Sequence, residues 1–114
     1  MKKLTLVLLT LIIAIVAFGQ IFKTSLNLTV RDEVGNIVEG ASVQLFEKKE
    51  DYDKIANATF TGITDKKGVV KFKSLKAIRY FMLVKKGDKD NSGGGEEIGK
   101  LTEGKFNKAT VVIQ

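Results

Sequence analysis

Residues 64–75, TDKKGVVKFKSL, decide the fold. Asp65 and Gly68 stand at the first and fourth positions of a turn. The aspartate side chain accepts hydrogen bonds from turn backbone, and glycine tolerates the left-handed exit. Beyond the turn, Val70 and Phe72 fall on one side of an extended chain and Lys71 and Lys73 on the other, the period-two pattern of a half-buried strand. A phosphate loop needs several glycines leading into a helix N-terminus. This stretch has one glycine and leads into a strand. Lys71 and Lys73 could meet nucleic acid, but an exported protein rarely meets it, and no aromatic side chain is interleaved with these lysines on the same face. The stretch reads as the corner of a β-sandwich with a solvated lysine face, and no nucleic-acid partner is expected.

The same pattern extends outward in both directions. Leu26, Leu28 and Val30 alternate with Ser25, Asn27 and Thr29. A second Asp-x-x-Gly turn follows at Asp32 and Gly35, and Ala41, Val43 and Leu45 then mark the next strand. Lys48 to Lys54 is too charged to bury and reads as a loop. Ile55 to Thr64 reads as a third strand, with Gly62 as the site of a bulge. Arg79 to Lys86 is apolar on both faces, as a doubly covered strand would be. Gly87 to Lys100 is a long glycine-rich loop, ending in a short strand near Ile98 to Leu101. Ala109, Val111 and Ile113 align in the last strand. Seven short strands with turn signals at intervals of about ten residues predict an all-β, seven-stranded antiparallel sandwich.

The first half, Gly40, Ala41, Val43 and Leu45 after a D-x-x-G turn, resembles the carboxypeptidase regulatory-like domain, a transthyretin-like, Ig-like sandwich. The second half carries the same likeness through Thr64, Asp65, Gly68, Phe72, Leu75 and Tyr80. Ile37 stands where the family usually has proline, Val70 replaces its first aromatic, and no glycine precedes Tyr80. The resemblance implies a folding, docking or substrate-presenting module of exported proteins, often of Bacteroidetes-type bacteria. It carries over none of the neighbouring peptidase machinery.

Composition narrows the chemistry further. The 114 residues include no His, Cys, Trp or Pro. Ser-His and Cys-His nucleophiles, disulfides and the usual zinc sites are therefore excluded within this chain. Glu96 and Glu97, being adjacent, would point to opposite sides of a strand and make no acid/base pair. Asp88, Asp90 and Ser92 match the start of a calcium loop, but Gly99 stands where the bidentate glutamate belongs. The expectation is no enzyme, no cofactor and no metal, with the hairpin-tip reading of that loop preferred over a calcium site.

At the start of the chain, Lys2 and Lys3 precede an uncharged run from Leu4 to Phe18. Ala17-Phe18-Gly19 then supplies small residues at the positions a signal peptidase reads. The run spans about 22 Å as a helix, short of the roughly 30 Å of a bilayer core. The expectation is a signal peptide over 1–19, cleaved between Gly19 and Gln20, and a single domain over 20–114 in the periplasm or medium. Ile21 and Phe22 prolong the apolar run, so a retained anchor is the alternative, and membrane contact is expected through that segment only. The partner is expected to be an envelope protein or a polysaccharide. Phe81 and Leu83, with Phe46 and Val112, would form a protein-binding patch. Tyr52 and the glycine-rich loop would instead rim a carbohydrate site.

Overall fold

Segments rich in valine, threonine and aromatic side chains, each broken by a glycine or aspartate turn, can bury one face only by pairing into sheets that stack. The computed structural model describes residues 23–93 and 95–114. The elements are β1 (Ser25–Asp32), β2 (Ser42–Phe46), α1 (Lys49–Lys54), β3 (Phe60–Ile63), β4 (Val69–Phe72), β5 (Tyr80–Lys86), β6 (Lys89–Asp90), β7 (Glu97–Ile98) and β8 (Phe106–Ile113). A three-stranded sheet runs β4-β1-β8. A five-stranded sheet runs β3-β2-β5-β6, with β7 also paired to β5.

The core lies between the sheets. Leu26, Leu28 and Val30 of β1, Val70 and Phe72 of β4, and Val111 and Ile113 of β8 face Val43 and Leu45 of β2 and Tyr80, Met82 and Val84 of β5, all buried. Phe60 ties the sheets together, with its ring 6.2 Å from Phe72 and 6.4 Å from Tyr80, both edge-on. The buried Tyr80 ring places its hydroxyl at the sandwich edge. There it accepts from the Lys76 amide at 3.0 Å and donates to the Lys76 carbonyl at 3.3 Å. Burial pushes this phenol above its ordinary pKa.

The architecture departs from the sequence expectation in five places. Among the described residues there are eight strands, not seven. Gly87, at φ 62°, turns the chain so that Lys89 and Asp90 pair with Lys86 and Lys85 inside the expected loop. The sandwich is not wholly antiparallel, because β8 runs parallel to β1 over its whole length. Parallel pairing needs a long crossover, and here nearly the whole domain intervenes.

The third strand starts only at Phe60. Ile55 and Asn57 sit at φ 51° and 59°, left-handed values that an extended strand cannot contain. Gly62 is no bulge: it pairs in regular register with Val43. Its missing side chain makes room for the opposite sheet, since a Cβ there would stand 2.6 Å from Val70 Cγ2 and 3.4 Å from the Phe72 ring.

The fifth departure is α1, expected as a loop. Glu50 and Asp51 lie in its first turn and Lys54 in its last, the arrangement the helix dipole favours. Lys49–Asp53 and Glu50–Lys54 close as i,i+4 ion pairs at 3.4 and 3.2 Å. That spacing was present in the sequence as a helix signal.

Candidate functional site

The two Asp-x-x-Gly corners use one hydrogen-bond pattern. Asp65 Oδ1 accepts from the amides of Lys67 (2.8 Å) and Val69 (3.1 Å), and the Gly68 amide donates to the Asp65 carbonyl at 2.9 Å. Asp32 Oδ1 accepts from Val34 and Asn36, both at 3.0 Å, and the Gly35 amide donates to the Asp32 carbonyl. These backbone donors, from Val69 and Lys67 at one corner and chiefly Asn36 at the other, hold both carboxylates below the usual aspartate range. Thr64 explains the first letter of the stretch. Thr64 is buried just past β3, where its hydroxyl donates to the Val38 carbonyl at 2.6 Å and accepts from the Ala41 amide at 2.9 Å.

The corners differ in surroundings. Gly35 (φ 96°) is open, with nothing near the place of a Cβ. Gly68 (φ 73°) is walled in: a Cβ would meet Ile37 Cβ at 2.8 Å and the Val30 carbonyl and Val38 amide at 3.1 Å. Gly68→Ala should therefore cost about 2 kcal/mol or more, against about 1 kcal/mol for Gly35→Ala, where only the backbone conformation is penalised. The double change Lys66→Ser with Lys67→Ser should stay within about 0.5 kcal/mol. Urea melts of the three variants check this. A larger loss from the lysines than from Gly68 would make this corner a side-chain site.

In the glycine-rich segment, Asp90 Oδ1 accepts from the Ser92 amide and hydroxyl, and these bonds lower its pKa. The Asp90 backbone exchanges hydrogen bonds with Gln114. Asp88 is exposed in the β5–β6 turn. No group of three or more acidic side chains converges among the described residues. Gly19 and Gln20 lie outside those residues. Glu97 stands in β7 with its side chain 3.6 Å from Arg79, and Glu96 precedes it in the loop.

The expected apolar patch is not assembled. Phe46 is fully buried. Tyr52 of α1 packs its ring 5.8 Å from Phe46 and 6.0 Å from Phe81, and Phe81 and Leu83 are half-buried. Val112 belongs to the other sheet. Packing thus takes up part of the Tyr52 ring that a sugar would need, and burial, with the nearby Glu96 carboxylate, raises the pKa of its hydroxyl.

What remains open is the outer face of the three-stranded sheet. Register sets Ser25 beside Phe106, Asn27 between Lys71 and Lys108, and Thr29 beside Thr110. Phe106 is 76% exposed. A shallow groove of about 530 Å³ is lined by Lys23, Lys71, Lys73, Asn27 and Phe106, among others. A second, of about 460 Å³, continues from Asn27 and Lys71 to Lys66, Lys67 and Asp65. The lysine face therefore does carry an aromatic side chain, contrary to the sequence expectation that none shares the face of Lys71 and Lys73. The parity of β8, with Ala109, Val111 and Ile113 inward, already places Phe106 and Lys108 outward. The parallel pairing that brings them beside β1 had no local signal.

No protein-family model matches the sequence, and no curated protein matches it. Solved structures do. The Bacillus anthracis TIE protein aligns at TM-score 0.60 and 20% identity over 80% of this chain and 17% of its own. BcpA, the major pilin subunit of Bacillus cereus, aligns at 0.55 and 20% over 81% of this chain and 30% of its own. The pilus 2b backbone protein of group B streptococcus aligns at 0.53 and 13% over 80% and 40%. The chain thus spans well under half the length of each. At these identities the likeness is one of fold, a two-sheet β-sandwich.

Proposed function

We propose that this chain is an exported, non-catalytic β-sandwich module that docks or scaffolds at the bacterial cell envelope, of the carboxypeptidase regulatory-like kind. The observation that carries the reading is the open outer face of β4-β1-β8. It is a broad surface with an exposed aromatic ring and shallow grooves rather than a cleft with converging acid and base groups. Similar sandwiches occur in proteins named as a pilin subunit and a pilus backbone, which supports a structural or docking role here. The signal-peptide layout of residues 1–19 supports export.

The test is fractionation of cells expressing the full chain, with intact mass of each fraction. The expected result is an envelope or exported species beginning at Gln20, its N-terminal glutamine free or cyclised to pyroglutamate. A full-length mass in the membrane fraction would replace cleavage by anchoring. A full-length soluble cytoplasmic species would remove the reading altogether.

A further inference from the structure

We propose that the outer face of the β4-β1-β8 sheet docks on an anionic phospholipid bilayer. This names the partner of the module just described and rests on its export. Six lysines, Lys23, Lys66, Lys67, Lys71, Lys73 and Lys108, are exposed on or around this face. The four ion pairs among the described residues use none of them. Asp65 is the one carboxylate lining the two grooves, and its Oδ1 is taken up by backbone amides. Six lysines against one carboxylate leave the face with net positive charge, which a negatively charged bilayer attracts within a Debye length.

Charge alone would suit any polyanion. Phe106 selects the bilayer. It stands 76% exposed beside Ser25 on the same face, lining the groove with Lys23 and Lys73. Polyphosphates and acidic polysaccharides offer such a ring nothing apolar to enter, and nucleic acid, whose bases could stack on it, is not what an exported domain meets, whereas aromatic rings partition to the headgroup level of a bilayer while lysines hold the lipid phosphates. Shape agrees, because the grooves are shallow and open, so a broad surface can reach the lysines that line them. Position agrees as well. The uncharged stretch Leu4–Phe22 ends at Lys23, so the chain enters the sandwich at the Phe106 end of this face. Whether that stretch is cut at Gly19 or retained, export takes this end of the domain past a membrane.

Among the described residues, every strand and every core residue from Leu26 to Ile113 falls within 20–114, so this segment carries the fold and can be assayed without the apolar leader. Its binding to vesicles of phosphatidylcholine alone, and of phosphatidylcholine with one part in three of phosphatidylglycerol, is measured by co-sedimentation. Binding is expected only to the anionic vesicles and should weaken with salt. Lys71→Glu with Lys108→Glu should lower the vesicle affinity by about 30-fold or more. The charge-matched pair Lys49→Glu with Lys54→Glu, on α1 over the other sheet, should stay within about twofold. Phe106→Ser should lose about fivefold or more on vesicles while leaving affinity for soluble long-chain polyphosphate unchanged. Urea melts confirm that each variant is folded, and Phe106→Leu should restore vesicle binding. Absence of binding to anionic vesicles overturns the proposal, as does equal loss in the α1 pair. Indifference of vesicle binding to Phe106→Ser overturns it in favour of a soluble polyanion. A protein found in the envelope that fails on vesicles would leave the docking module standing and remove only the lipid.

Discussion

Phe72→Ala is expected to destabilise the domain by about 3–5 kcal/mol. Phe72 is 4% exposed and pairs with Leu26 across the β1–β4 ladder. Its ring meets Phe60 edge-on and lies over Gly62 of the opposite sheet. That last neighbour sets the size of the effect. Truncated sites lose least when surrounding side chains collapse into the hole. Below Phe72 there is a glycine with no side chain to move, and Phe60 is already held against Tyr80. The cavity should persist, and the loss is a large part of the roughly 5–15 kcal/mol that a small domain has in total. Urea melts with an unchanged slope measure it. A loss under about 1 kcal/mol would mean that the ring lies outside the core and that β4 is one residue out of register.

Phe72 also shows what the sequence could and could not reveal. Its burial follows from alternation with Lys71 and Lys73, a property of the strand itself. The same holds for the leucines of β1 and for the two Asp-x-x-Gly corners, where side chain and backbone lie within four residues of each other. The reason for Gly62 was hidden, because the groups that need its empty space, Val70 and Phe72, come from the other sheet. The outer lysine face was half legible. Lys71 and Lys73 are local, but Phe106 and Lys108 join them only through the parallel pairing of β1 with β8, the first and last strands of the described residues. Tyr52 was misplaced for a different reason. The charge density of residues 48–54 points to a loop, whereas the i,i+4 spacing of their opposite charges points to a helix, and the helix wins. Once helical, the segment lays its one aromatic over Phe46 and Phe81.

Asn91 carries the other large expected effect, and no reading of the loop as a metal or hairpin tip singled it out. It is 0% exposed. Its Oδ1 accepts from the Val84 amide at 3.0 Å, and its Nδ2 donates to the carbonyls of Met82 at 2.9 Å and Gly95 at 3.1 Å. Strand β5 pairs with β7 at Tyr80 and Phe81 and with β6 at Lys85 and Lys86. Between them the Asn91 side chain takes the place of a neighbouring strand, with a carboxamide standing in for a peptide unit. Asn91→Ala leaves the Val84 amide and the Met82 carbonyl without partners inside the sandwich, which should cost about 2–4 kcal/mol. Asn91→Asp is the sharper test. The carboxylate can still accept from Val84, but it turns a second acceptor toward two carbonyl oxygens in a buried site, so its folded pKa must rise above the unfolded value. The folded state then binds the proton more tightly, and the stability lost at neutral pH should return as the pH falls through the folded pKa. The parent protein should show no such recovery. Urea melts of both proteins at pH 7 and pH 5 would show it, and exchange of the Val84 amide should be slow in the parent and fast in Asn91→Ala. Asp88→Ala, at an exposed position three residues away, should remain within about 0.5 kcal/mol. If Asn91→Ala were equally mild, the pairing of β6 and β7 with β5 would hold the loop by itself, and the asparagine would be a passenger.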